Sequence, residues 1–98
     1  MKIEKEENNG VTTLKLSGCL DTAANEEFAT AMVSVQDVQS LVIDFSGLDF
    51  IASSGIRTLV SANKKAIAEG RSITLTHLNE VVADVFDVTG LNDYFTIK

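Results

Sequence analysis

The spacing of apolar residues along this chain changes in a regular order. From Val11 to Leu16 it alternates, with Leu14 and Leu16 on one face and Val11, Thr13 and Lys15 on the other, as in a half-buried strand. Before it, Lys2 to Glu6 carries one clearly apolar residue, Ile3, among charges. That suits a strand at a sheet edge, where charge discourages pairing with another chain. Asn8-Asn9-Gly10 supplies the left-handed conformations of a tight hairpin between the two, and Gly18 is expected to end the second strand. The spacing then shifts to threes and fours. Ala24, Phe28, Ala31, Met32 and Val35 form a helical stripe, opened by Asp21-Thr22, whose side chains can accept from free first-turn N–H groups.

The next apolar run, "LVIDF" from Leu41 to Phe45, is nearly continuous, which predicts a strand covered on both faces or at least central in the sheet. Ser46-Gly47 is expected to turn the chain. A second helix follows, with Ile56, Leu59, Val60 and Ile67 as its apolar positions and Glu69-Gly70 as its stop. "SITLT" alternates as a strand. Asn79 is placed to cap a third helix carrying Val81, Val82, Val85 and Phe86, ended by Gly90. "YFTIK" reads as a short last strand or a tail. The order β-β-α-β-α-β-α, with a possible final β, predicts an α/β fold: an opening hairpin, then a mixed, mostly parallel sheet of four to five strands with right-handed crossovers. Without prolines, repeats or a linker, residues 1–98 read as one domain.

Composition removes several functional classes. The net charge of -6, with no Lys/Arg cluster, disfavours nucleic acid and anionic lipid. No apolar run approaches the roughly 20 residues of a membrane span. The charged start, "MKIEKEENNG", lacks the apolar core of a signal peptide, so the chain reads as cytoplasmic. Cys19 is the only cysteine and reads as a small buried residue; His77 is the only histidine, too little for a metal site. No cofactor is implied. The phosphate-cradling G-x-x-x-x-G-K-[ST] loop, the G-x-G-x-x-G fingerprint and the G-x-S-x-G elbow are all missing. No catalytic residues are therefore assigned, and Asp44 and Asp49 read as caps or solvated carboxylates.

What remains is "ASSGIR", at the carboxyl end of the expected central strand, where open α/β sheets place their sites. Ser53 and Ser54 can be read as a helix cap, which needs only one of them. Arg57 also lies in the first turn, opposed by the positive end of the helix dipole. A helix N-terminus accepts anions, and a phosphoserine there would gain charge-assisted hydrogen bonds while adding about -1.5 to -2 charges to a partner surface.

"GCLD" after the second strand, "LVIDFSGLDFIASSGIRTL" and the closing "GLNDYFTI" together resemble the STAS domain of bacterial anti-sigma factor antagonists, along essentially the whole chain. The resemblance implies a protein that binds a serine kinase doubling as an anti-sigma factor, of the histidine-kinase-like ATPase class. Phosphorylation of a serine at the start of the second helix releases it, and a magnesium- or manganese-dependent phosphatase reverses the modification. Ser53 aligns with the modified serine, with Ser54 as runner-up; Ser54 and Gly55 complete the motif, and Asp21 and Thr22 align with the adjoining partner-binding loop. The aspartate common before the modified serine is Ala52 here. A second reading keeps the fold without the switch, as a constitutive adaptor subunit of a transporter or lipid-transport ATPase. Nucleotide binding and a small enzyme find no supporting motif.

Overall fold

The computed structural model describes residues 1–98 and places five strands side by side in chain order, β1-β2-β3-β4-β5. β1 (Lys2–Asn8) and β2 (Val11–Leu20) form the antiparallel hairpin. Asn9 and Gly10, at φ 52° and 80°, make the two-residue turn whose twist matches its strands. β3 (Ser40–Ile51), β4 (Ser72–Thr76) and β5 (Thr96–Ile97) then add in parallel. The connections hold α1 (Asn25–Ser34), α2 (Ser53–Ala68) and α3 (Glu80–Val88). Right-handed crossovers that always step in one direction put all three helices on the same face of the sheet.

Burial follows from that. Leu14, Leu16, Leu41, Ile43, Phe45 and Leu75 point to the helices and are buried, while their strand neighbours Thr13, Lys15, Val42, Asp44 and Thr74 are only half-buried. "LVIDF" is thus central, but helices cover it on one side only. Phe28 of α1, Leu59 of α2 and Phe86 of α3 close the core from above, and Phe86 meets Phe45 edge-on at 6.3 Å. Asn79 caps α3 as expected, accepting from the Val82 N–H at 2.9 Å and donating to the Leu48 carbonyl at 2.7 Å.

Several expectations fail at element edges. Ser46-Gly47 does not turn the chain, and Gly18 does not end β2: both strands run on, to Ile51 and Leu20, through two register shifts. A Cβ on Gly47 would stand 2.8 Å from that of Ser17, so the glycine lets β3 stay paired to β2 through the bulge. Cys19 is exposed rather than buried, because it lies on this far end of the pair. Ile67 and Val81 are more than half exposed, since the buried stripes run through Leu59, Asn63 and Ala66 in α2 and through Val82 and Phe86 in α3. No helix is long and apolar enough to cross a membrane.

On the sheet's open face Asp44 sits beside His77, with Oδ1 3.2 Å from Nδ1, and accepts from the Ser46 N–H at 2.9 Å. Burial pushes its carboxyl up, but the hydrogen bonds from Ser46 and the charges of His77 and Lys15 outweigh this and hold it below the usual carboxylate value. A carboxylate whose folded pKa is depressed stabilises the fold fully above the unfolded value, about 3.9, and loses that contribution as pH falls through the folded one. Asp44→Asn is therefore expected to be less stable than wild type at pH 7, with the gap closing below pH of about 3.9. Urea unfolding across that range checks this, and a gap independent of pH would exclude the ionised carboxylate as its source.

Candidate functional site

β2 and β3 stay paired to Leu20 and Ile51, whereas β3 leaves β4 after Asp44 and Thr76. The last residues of β2 and β3 therefore project as a two-stranded extension beyond the rest of the sheet. The loop after β2 and the first turn of α2 grow from it, joined by the Ala52 N–H donating to the Leu20 carbonyl at 2.8 Å. This brings Asp21, Thr22, Ser53, Ser54, Gly55 and Arg57 to one edge of the molecule.

Each takes a definite place there. Asp21 opens the turn that leads into α1, its Oδ1 accepting from the Ala24 N–H at 2.8 Å and its carbonyl from the Asn25 N–H at 3.0 Å, although the helix itself begins only at Asn25. Thr22 is exposed on that turn. Neither serine caps α2. The N-cap is Ala52, in extended conformation, and no side chain there accepts a hydrogen bond. Ser53 is the first helical residue and is exposed, while the Oγ of Ser54 is buried without a partner. The shift follows from pairing: β3 runs to Ile51, which leaves Ala52 alone as the hinge into the helix.

The amides of Ser53 and Ser54 have no acceptor in the chain, the free donors a helix start leaves when its cap has no side-chain oxygen. Arg57 is exposed, forms no ion pair, and lies four residues after Ser53 on the same helical face. Helical side chains lean toward the N-terminus, so its guanidinium can reach over Ser53. Thr58 Oγ1 donates to Asn25 Oδ1 at 2.9 Å and ties this turn to the start of α1. His77 contacts Asp44 and Thr76, not the serines, so the residues of a Ser-His-Asp relay are not assembled. No group of three or more His, Cys, Asp or Glu side chains could hold a metal ion.

Phe50 is the residue that sequence reasoning missed. It lies opposite Cys19 on the extension and is 43% exposed, an aromatic surface next to the serine turn. The overhang of β2 and β3 beyond the rest of the sheet leaves it uncovered.

Restoring a cap tests this geometry. Ala52→Asp puts an acceptor where the backbone is already extended, and is expected to stabilise α2 by about 1 kcal/mol. For a domain of this size that raises Tm by roughly 4–8 °C. No change on thermal unfolding would mean that the first-turn amides are satisfied in another way.

The order of strands, the opening hairpin and the three helices are those of the STAS domain, and the chain belongs to that family, whose model matches residues 2–98. It is similar to an anti-sigma F factor antagonist of Paenibacillus polymyxa, 26% identical over 94 residues that span 93% of this chain and 80% of that one. SpoIIAA, an anti-sigma factor antagonist, shares the fold in its unphosphorylated form, with a TM-score of 0.83 at 21% identity, covering 99% of this chain and 88% of that one. In its phosphorylated form, described as a Bacillus cell fate determinant, the TM-score is 0.76 at 20% identity, over 99% and 91% of the two chains.

Proposed function

We propose that this protein is an anti-sigma factor antagonist, a cytoplasmic binding protein without catalysis of its own. It engages a serine kinase that doubles as an anti-sigma factor, of the histidine-kinase-like ATPase class, through the edge formed by Asp21, Thr22, Ser53, Ser54, Gly55 and Arg57. Phosphorylation of Ser53 ends that contact, and a metal-dependent serine phosphatase restores it. The observation that carries this reading is the state of Ser53: exposed, on the first turn of α2, beside two amides without acceptors and one turn from an unpaired arginine. A phosphate there would find N–H donors, the positive helix end and a guanidinium together. Ser54 is the weaker candidate because its oxygen is buried. Ala52 departs from the aspartate that the resemblance places before the modified serine, and leaves the first turn of α2 without a side-chain cap.

Intact mass after incubation with the cognate kinase, ATP and magnesium tests it, on the native chain, Ser53→Ala and Ser54→Ala. One added phosphate is expected on the native chain and on Ser54→Ala, and none on Ser53→Ala. A native chain that binds the kinase tightly and gains no phosphate would instead be a constitutive adaptor.

A further inference from the structure

α1 and the turn that follows it are tied to α2 by polar bridges at two ends, with a gap between. At one end Thr58 donates to Asn25; at the other Lys65 Nζ donates to Gln36 Oε1 at 3.1 Å. Between them lies a groove of about 540 Å³, whose lining includes the small side chains of Ala29, Ser61 and Ala62. Its apolar part is a floor of core side chains, Met32 and Val35 from the α1 side and Leu41 and Ile73 from the amino ends of β3 and β4, with exposed Val33 at the rim; apart from the two alanines, the remaining lining is polar. From Ser54 to Lys65 it runs about 16 Å along α2. The volume is that of a small-molecule site.

The charge around it is opposite to that of the chain. The protein has 14 carboxylates and 8 basic side chains, yet the groove is lined by three of the basic ones, Arg57, Lys65 and Arg71, and by no carboxylate. Arg71 is held by Glu69, with Nε and Nη2 both on one carboxylate oxygen. Arg57 has no partner and Lys65 only the neutral Gln36 amide, so two positive charges at the rim are uncompensated. No aromatic residue lines the space, so a nucleotide base would find nothing to stack on.

We propose that the α1–α2 groove binds an amphipathic anion, an aliphatic chain ending in a carboxylate, with the chain between the helices and the carboxylate at Lys65. This site is independent of the Ser53 reading, although Ser54 and Arg57 belong to both edges.

Calorimetric titration with dodecanoate, below its micelle concentration, tests the assignment. Dodecanoate is expected to bind once per chain, with acetate and dodecanol each at least tenfold weaker because one lacks the chain and the other the charge. Lys65→Gln, at an exposed position, is expected to weaken dodecanoate at least tenfold while Tm falls by no more than a few degrees, since it removes only an exposed bridge to Gln36 and a last-turn cation. Ala62→Leu, which fills the groove, is expected to abolish binding. Failure of dodecanoate to bind the native chain would overturn the proposal. So would binding indifferent to both substitutions, or equal affinity for dodecanol, which would mark unspecific adsorption.

Discussion

Gly55→Ala is expected to destabilise the protein by about 1–3 kcal/mol, the usual cost of forcing a methyl group into a packed site. Helix propensity alone gives the opposite sign, because alanine is better than glycine within a helix by about 1 kcal/mol. The contact distances decide between them. A Cβ on Gly55 would stand 2.8 Å from both Cγ and Cδ2 of Leu20, and 3.2 Å from Cγ1 of Ile51. Leu20 is fully buried and Cγ is not the free end of its side chain, so relief requires the first turn of α2 to lift off the ends of β2 and β3. That turn carries Ser53, so the substitution should also weaken partner binding. Chemical denaturation of the two chains reads the sign directly; an alanine variant as stable as wild type would show that the helix seat is soft.

Ser53→Asp is expected to separate binding from stability. A carboxylate at the first helical position lies near two amides without acceptors and at the positive end of the dipole, so the fold should be unharmed or gain a few tenths of a kcal/mol. At the proposed interface the same charge is unmatched, and misplaced charge within a contact costs several kcal/mol, which is a loss of about 100-fold or more in affinity. Ser54→Asp should do the reverse, losing stability first, because its side chain leads into a buried position. Titration of each variant with the anti-sigma factor, beside its thermal unfolding, checks both. Tight binding by Ser53→Asp would remove this residue from the interface.

The sequence carried the element order, the hairpin turn, the Asn79 cap and the place of the serine motif at the end of the central strand. These are local matters: alternation, a helical stripe and turn chemistry act over a few residues, so their signals lie next to one another in the chain. Residues 46–52 were not legible in that way. Ser46-Gly47 has the composition of a turn, and two serines before an apolar helix have the composition of a cap. Pairing with β2 overrode both, because the backbone groups of β3 find partners through a bulge as far as Ile51, which makes Ala52 the N-cap and Ser53 the first helical residue. The same pairing exposes Cys19 and Phe50 on an overhang that no periodicity reveals.

The groove between α1 and α2 lies further still from the sequence. Arg57, Lys65 and Arg71 look scattered among ordinary helix and loop charges until the two helices lie side by side and their small residues leave a space between them. Sequence by itself determined which segments are strands and helices and where the hydroxyls fall, because those follow from near neighbours. Only the tertiary structure decided which hydroxyl is free, which face is uncovered and which charges meet, because each depends on residues 30 or more positions apart being pressed together, as Thr58 is to Asn25.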